Sequence, residues 1–195
     1  KRCSDLGVAA CVLTTPANIF YLTGIRDVEG YLLVGKRKAV LSLSGLYLNQ
    51  GRAACPKSSP VSIEPYDAAS LSREMRSYGR VGFIGADTTW EAASLWQRRS
   101  RARCVRLADF MRELRSVKDG EELAAIRRAR LATVRILRSV ARILSPGMTE
   151  REVAGEIQRL ISRVPGAREA FPTIVASGPN AAFPHHTAGG RRIRE

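Results

Sequence analysis

The 195-residue sequence lacks the features that would indicate several common classes of protein. No stretch approaches the roughly 20 apolar residues that a membrane-spanning helix needs, and no charged segment followed by an apolar one resembles a signal peptide. The four cysteines include no CxxC pair, so neither a zinc knuckle nor a disulfide framework is predicted. We therefore expect reduced thiols at Cys3, Cys11, Cys55 and Cys104, no membrane partner and a cytoplasmic location.

Acidic residues are also few, since 18 Asp and Glu face 32 Lys and Arg and the net charge is +14. Such an excess attracts phosphates or acidic surfaces where it is clustered. Here the basic residues recur singly or in short runs on what read as solvated helix faces. We therefore interpret the charge as ordinary exposed surface, and a nucleic-acid partner is not expected. The composition, 45% hydrophobic without low-complexity runs, is typical of a globular protein with a real core.

Up to about residue 110, short apolar segments alternate with amphipathic ones. The pattern predicts strands over 8–13, 31–34, 39–43, 61–64, 80–84 and 104–107, and helices over 46–54, 68–78 and 90–99. This alternation is typical of an α/β domain with one central sheet. Trp90, Ala93 and Trp96 follow one another at helical spacing, which favours a place in the core over a ligand-stacking platform.

The pattern changes near Arg115. A long helix is predicted over 119–144, and Ser145-Pro146-Gly147 ends it. Thr149 and Glu152 then have the spacing of a capping box, which predicts the start of another helix. The segment FPTIVA at 171–176 is predicted to be a strand. We place the domain boundary near residue 112, which gives domains over 1–112 and 113–195.

Four segments of the sequence resemble one known family. PANIFYLTGI at 16–25 is similar to an Asn-x-x-Tyr-Leu-Thr-Gly signature, and LRSVKDGEELAAIRRA at 114–129 is similar to a Leu-Arg-x-x-Lys-x-x-x-Glu segment. SPGMTEREV at 145–153 and IVASGPNAAFPHH at 174–186 resemble a Pro-Gly-Met-Thr-Glu turn and a Ser-Gly-x-Asn-Ala segment that leads to Pro-His. In this order, the four segments resemble the pita-bread metallopeptidases, which include Xaa-Pro aminopeptidase, prolidase and creatinase.

This resemblance implies a fold and an activity. The fold would be a creatinase-like N-terminal domain, with a mixed central sheet flanked by helices, followed by an incomplete α+β pita-bread catalytic domain. The activity would be hydrolysis of the peptide bond before proline, by an aminopeptidase P or prolidase type of enzyme that acts as a dimer. Two divalent metal ions, most simply manganese, would be held by two Asp, one His and two Glu, all beyond Glu195. We therefore expect no metal ligand and no bound metal in this chain, and no activity from this chain alone.

The sequence contains only two histidines, His185 and His186. The resemblance implies that His185, directly after Pro184, is the catalytic residue in this chain, where it would contact the substrate and handle a proton. His186 occupies a variable position of the family, and we interpret it as an ordinary loop histidine. This hypothesis requires the His185 ring to border an open cleft and not to be packed among aliphatic side chains.

Two alternatives remain open at the level of sequence. One is a creatinase-like hydrolase of a small guanidino compound, and the other is a non-catalytic binding module for an acidic protein or a nucleic acid. The family's Asp-x-Arg-Tyr segment is replaced here by Ser44-Gly45-Leu46-Tyr47, which removes any salt bridge or subunit contact that the Asp and Arg would supply. We also expect the apolar faces of the second domain to be exposed in the isolated chain.

Overall fold

The computed structural model describes residues 5–195, so the thiol of Cys3 lies outside the described residues. Residues up to Val117 form one compact unit and residues from Lys118 form a second. The boundary predicted near residue 112 lies a few residues earlier, within a short helix at Phe110–Ser116.

The first unit is built on a mixed sheet. Its strands are β1 (Ala10–Leu13), β2 (Gly30–Gly35), β3 (Ala39–Leu43), β4 (Val61–Pro65), β5 (Arg80–Ile84) and β6 (Arg103–Leu107). Within residues 5–117 these six strands form one sheet in the order β4-β3-β2-β1-β5-β6. Strand β2 is antiparallel to both of its neighbours, and the remaining pairs are parallel. The predicted α/β domain with a mixed central sheet is therefore confirmed.

Helices cover both faces of this sheet. They are α1 (Pro16–Thr23), α2 (Gly45–Ala54), α3 (Ala68–Tyr78), α4 (Trp90–Ser100) and α5 (Phe110–Ser116). Ile19 of α1 and Met111 of α5 belong to one core cluster, whereas Met75 of α3 and Trp96 of α4 belong to another. Central strand β1 contributes Leu13 to the first cluster and Val12 to the second. Burial on both faces explains why its sequence is apolar throughout and does not alternate.

The two tryptophans of α4 differ, and the core interpretation is right for only one of them. Trp96 is 4% exposed, but Trp90 is 84% exposed. Six residues of an α-helix turn through about 600°, so the two side chains point about 120° apart around the helix axis. Trp90 is also the first residue of the helix. Helical spacing alone therefore did not place both rings on the buried face.

Asn18, in the PANIFYLTG segment, is a buried polar link of the first unit, with 2% exposure. Its amide nitrogen donates to Asp87 Oδ2 (3.1 Å), and its amide oxygen accepts from Arg115 Nη1 (3.0 Å). The side chain thus joins α1 to the loop after β5 and to α5. Gly24 ends α1 with φ 73°, a conformation that favours glycine. These residues of the signature segment therefore have a structural role.

The second unit is mainly helical. It contains α6 (Gly120–Ile143), α7 (Glu150–Ser162) and a 3-10 helix (Gly178–Ala182). The predicted strand at 171–176 is wrong, because the structure assigns no strand to this segment. Strand conformation needs a hydrogen-bonded neighbour, and within residues 118–195 the only ladder contact is an isolated bridge between Thr149 and Arg192.

The apolar face predicted for the long helix exists but is not covered. Leu123, Ile126, Leu137 and Leu144 are 41%, 50%, 54% and 46% exposed, whereas Val140 is buried. The expectation that apolar faces of this region are exposed is therefore met in this chain. None of the helices in residues 5–195 has the length and apolar character that crossing a bilayer requires.

Candidate active site

His185 and His186 are the third and fourth residues of a tight turn over 183–186. The backbone N–H of His186 donates to the carbonyl of Phe183 (3.2 Å), so Pro184 and His185 are the two central residues of the turn. Proline suits the first central position because its ring fixes φ near the value that the turn needs. The turn therefore places the His185 backbone at its tip.

His185 is exposed and borders a cleft of about 530 Å³. The cleft is lined by Phe171, Pro172, Thr173, Ile174, Pro184, His185, His186 and Thr187. An apolar wall with a few polar groups is typical of a small-ligand site. The condition that the ring borders an open cleft is met, while the role of His185 stays a prediction.

His186 has a partner that its sequence neighbours do not reveal. Its Nε2 atom lies 2.8 Å from Oε2 of Glu150, which is 36 positions away in the chain. His186 is half-buried, and Glu150 is fully buried with 0% exposure. The first residue of α7 therefore supplies a carboxylate to the histidine pair. The interpretation of His186 as an ordinary loop histidine did not anticipate this contact.

Glu150 accepts hydrogen bonds at both of its carboxylate oxygens. Oε1 accepts from the Ser177 backbone N–H (2.8 Å), the Ser177 hydroxyl (2.9 Å) and the Asn180 amide (3.0 Å). Oε2 is close to His186 Nε2 and accepts from the Asn180 amide (3.1 Å) and the Gly189 backbone N–H (3.3 Å). One buried carboxylate thus joins α7, the 3-10 helix and the histidine loop.

These contacts decide the charge of Glu150. Burial alone raises the pKa of the carboxyl, but hydrogen bonds from His186, Asn180 and Ser177 outweigh burial and hold the pKa well below its ordinary value of 4.5. The group is therefore ionised at neutral pH and has no proton to donate. Because an ionised carboxylate only accepts, Nε2 of His186 must carry the proton in their hydrogen bond.

Local sequence explains why Glu150 sits where it does. Thr149 caps α7, since its hydroxyl accepts from the Glu152 N–H (3.2 Å) and the Glu152 carboxylate accepts from the Thr149 N–H (2.7 Å). The predicted capping box is confirmed. The backbone N–H of Glu150 donates to the backbone carbonyl of Arg191 (3.0 Å), and the backbone N–H of Arg151 donates to the backbone carbonyl of Gly189 (3.0 Å). The start of α7 is therefore joined to the segment that follows the histidines.

Comparison with known proteins agrees with this architecture. Residues 1–117 match the family described as "Creatinase/Prolidase N-terminal domain". The chain belongs to the creatinase/prolidase family. Residues 124–195 match "Metallopeptidase family M24", so this member of the family carries its N-terminal domain together with part of an M24 domain. The resemblance drawn from the four motifs is confirmed.

The creatinase/prolidase relatives include peptidases of several organisms. The chain is 24% identical to the Xaa-Pro dipeptidase of Pyrococcus furiosus over 93% of its own length and 51% of that protein. It is 41% identical to the probable dipeptidase PepE of Mycobacterium tuberculosis H37Rv over 47% of its own length and 24% of that protein. The structure of an Xaa-Pro dipeptidase from Bacillus anthracis has the same fold, with a TM-score of 0.83 at 20% identity over 97% of this chain and 54% of that one. The chain thus spans about half the length of the curated relatives that it matches over most of its own length.

The residues of this family member do not themselves fit a two-metal centre. Among residues 5–195, no three side chains of His, Cys, Asp or Glu stand together in the way that a metal site requires. His186 and Glu150 contact each other, and both oxygens of Glu150 already accept from protein donors. No chemical step that passes through a metal ion is therefore assigned to them.

Sequence reasoning predicted a role for His185, which stays a prediction, and gave no role to Glu150, Ser177 or Asn180. A signal for them was present, because Glu150 ends the Pro-Gly-Met-Thr-Glu segment, and Ser177 and Asn180 belong to the Ser-Gly-x-Asn segment. The structure brings these two family motifs together in one hydrogen-bonded cluster. Gly178, between them, has φ 51°, and a Cβ there would lie 2.5 Å from the Arg191 guanidinium. The left-handed φ favours glycine at that position, whereas the Arg191 guanidinium is the end of a flexible side chain and can shift.

Proposed function

We propose that this chain is part of a metal-dependent Xaa-Pro peptidase of the aminopeptidase P or prolidase type, which hydrolyses the peptide bond before proline. The family of the chain supports this proposal, as do relatives such as the Xaa-Pro dipeptidase of Pyrococcus furiosus and the putative Xaa-Pro aminopeptidase of Mycoplasma pneumoniae. The substrate would be a peptide that contains proline. Activity would need the remainder of an M24 domain, so we propose that the 195-residue chain alone is inactive.

The observation that carries the proposal is the position of His185. His185 is exposed and lines a cleft that has Phe171, Pro172 and Ile174 in its wall. An apolar wall suits the ring of a proline residue, and histidine is the side chain most often used for proton transfer in catalysis. His185 would contact the scissile carbonyl of the substrate and transfer a proton to the leaving amine.

Divalent metal ions belong to the same proposal. The family is one of metallopeptidases, and such ions activate a water molecule and polarise the scissile carbonyl. Carboxylate ligands suit hard cations such as manganese. The contribution of the present chain would be the cleft, the turn and the histidine, and the ligands would come from elsewhere in the polypeptide.

Replacement of His185 tests this function in the protein that the full reading frame encodes. We expect His185→Ala to lower kcat/KM for an Xaa-Pro peptide by about 10²- to 10⁴-fold, the usual contribution of a general acid or base. His185→Gln keeps a hydrogen-bond donor but not proton transfer, so KM should stay near its normal value while kcat falls. Unchanged kcat/KM in both variants would remove His185 from the mechanism. Absence of Xaa-Pro hydrolysis in the unmodified, metal-loaded protein would refute the proposed function itself.

Two further parts of the proposal concern the setting of the enzyme. A cytoplasmic location is supported by the free thiols of Cys55 and Cys104, because disulfides are rare in that compartment. A dimer is proposed by analogy with the family alone, and sedimentation of the full protein tests it.

A non-catalytic binding module is the second candidate, and the net charge of +14 favours it. Helix α6 alone carries the exposed arginines Arg127, Arg128, Arg130, Arg135, Arg138 and Arg142. If these residues contact phosphates, the affinity for DNA or RNA falls steeply as salt rises. A binding titration across salt concentrations separates the candidates, since a weak and flat response favours the peptidase.

A further inference from the structure

The cluster around Glu150 has no task in the proposed reaction, although the Glu150 carboxylate accepts hydrogen bonds from several protein groups. Glu150 is fully buried, and both of its oxygens accept from protein groups. It therefore has neither access to a substrate nor a free lone pair for one. Any effect on the reaction has to pass through the residues that it holds.

Glu150 holds both sides of the turn that carries His185. At the C-terminal end of the turn, Glu150 contacts His186, the last residue of the turn. At the N-terminal end of the turn, Glu150 acts through Asn180, whose side-chain amide donates to it. The backbone carbonyl of Asn180 accepts from the N–H of Phe183, the first residue of the turn (3.0 Å). His185 thus projects from a turn whose two ends are linked to the same carboxylate.

The segment after the turn is held at the same place. Gly189 donates to Glu150 through its N–H and accepts from the N–H of Arg151. Further along, the N–H of Ile193 donates to Met148 (2.8 Å), and the N–H of Gly147 donates to Ile193 (2.9 Å). Hydrogen bonds at several positions therefore join residues 186–193 to the segment 147–151.

We propose that Glu150 and His186 are positioning residues for His185: the buried carboxylate holds His186 in its Nε2–H tautomer, and this pair clamps the turn that presents His185 to the cleft. The reaction served is the proposed peptidase reaction, so the inference rests on that function. The two adjacent histidines thereby have different tasks, one exposed and reactive, the other half-buried and structural. These different tasks also give a physical reason why two histidines stand side by side in the sequence.

The tautomer of His186 is the first test, in the 195-residue chain. With only two histidines in the sequence, the ring nitrogens are assigned from long-range ¹H–¹⁵N spectra of a histidine-labelled sample and one His185→Ala sample. At about pH 8 an ordinary imidazole is neutral and samples both tautomers. We expect His186 to show a single tautomer with the proton on Nε2, and His185 to show the exchanging mixture of a free ring.

Glu150→Gln sharpens this test because an amide has one acceptor oxygen and one donor nitrogen. The amide oxygen should take the place of Oε1, where the Ser177 N–H and hydroxyl both donate, and the nitrogen should then face His186, with loss of the longer Gly189 contact at Oε2 (3.3 Å). His186 has to accept from it, so the proton should move to Nδ1. We expect the tautomer signal to invert while His185 keeps its free-ring spectrum. A tautomer mixture at His186 like that expected for His185, or no change in Glu150→Gln, would overturn the proposal.

Two substitutions of His186 test the effect on catalysis without altering Glu150, whose other donors remain. Glutamine places an amide nitrogen near the position of Nε2 and preserves a donor to Glu150, whereas alanine does not. In the full-length protein we expect His186→Ala to lower kcat for an Xaa-Pro peptide by up to about a hundredfold, with a smaller change in KM, because small misplacement of a catalytic group has effects of that size. His186→Gln should restore kcat to within severalfold of the unmodified enzyme.

The outcomes separate this inference from the proposed function. If the full-length protein cleaves Xaa-Pro peptides and His186→Ala is as active as the unmodified enzyme, the positioning role is wrong although the peptidase function stands. If His186→Gln is as impaired as His186→Ala, the hydrogen bond to Glu150 is not what matters, and the role is again wrong. If no peptidase activity exists, the proposed function fails, and with it the catalytic purpose of the clamp, while the tautomer spectra still decide whether the clamp exists.

Discussion

At the scale of single residues, Glu150 shows how hydrogen bonds reverse the effect of burial. A buried carboxyl group ordinarily has a raised pKa because its charged form is poorly solvated. Here donors from His186, Asn180 and Ser177 replace water and hold the pKa below its ordinary value. The Glu150 carboxylate is therefore ionised in the native fold, and its charge contributes to the stability of that fold.

This dependence has a direction with pH. The pKa of Glu150 is lower in the folded chain than in the unfolded one, so below about pH 4.5 the unfolded state binds a proton that the folded state does not. Glu150 therefore stabilises the fold fully above that pH, and its contribution is lost as the pH falls toward the depressed pKa. We expect the thermal midpoint of the unmodified chain to fall toward that of Glu150→Gln below about pH 4.5, because glutamine does not titrate.

Circular dichroism of both chains at a series of pH values measures this difference. Glu156→Gln is the control, since Glu156 lies on the same helix and its pKa is lowered by an exposed partner, Arg159. Screening by solvent makes exposed pairs weak, so the control should differ little from the unmodified chain. A gap between the unmodified chain and Glu150→Gln that stays constant with pH would contradict the prediction.

Single residues are also where the sequence was least informative. The sequence placed His185 in a loop beside Pro184, and the structure agrees because proline and histidine occupy one local turn. It did not reveal the contact between His186 and Glu150, because residues 36 positions apart are brought together only by the packing of separate segments. The exposure of Trp90 was missed for a local reason, its angle around the helix at the first turn.

At the scale of elements, the strands of the first unit and the start of α7 were predictable because each has a local signal. β1 is a continuous apolar run stopped by proline, and β2 and β3 flank a short basic turn. Thr149 and Glu152 satisfy the first amides of α7 within four residues. The segment 171–176 has the same apolar character as a strand, but no local signal tells whether a neighbouring strand is present to pair with it.

The cap of α7 is expected to stabilise the element that holds Glu150. Thr149→Ala removes the hydroxyl that accepts from Glu152 N–H, and loss of such a cap destabilises a helix by about 1 kcal/mol. Hydrogen exchange measured by mass spectrometry should therefore show amides in the first turns of α7 exchanging roughly fivefold faster, since 1.4 kcal/mol corresponds to a factor of ten. Thr149→Ser keeps the hydroxyl and should exchange as the unmodified chain does. Equal exchange in Thr149→Ala and Thr149→Ser would show that the cap contributes nothing.

At the scale of the whole molecule, the two units differ in how well they cover their apolar side chains. In the first unit the sheet has a buried cluster on each face, with members such as Leu41 and Met75 at 0% exposure. In the second unit Leu123, Ile126 and Leu137 of α6 are 41–54% exposed on one face, and Phe171 and Phe183 are 67% and 61% exposed. Exposed apolar side chains on one helix face are typical of a surface that associates with protein.

We therefore expect the isolated 195-residue chain to associate with itself through the exposed face of α6. Ile126→Gln combined with Leu137→Gln places two amides on that face. The average mass of this variant, measured by sedimentation velocity or light scattering, should therefore fall toward that of the monomer as the variant is diluted. Leu46→Gln is the matched control, because Leu46 is 81% exposed but lies on α2 of the first unit. Replacement of Leu46 by glutamine should leave the self-association unchanged. A monomer at every concentration in the unmodified chain would contradict the prediction, and so would equal dissociation by the Leu46 variant, because the contact would then not depend on α6.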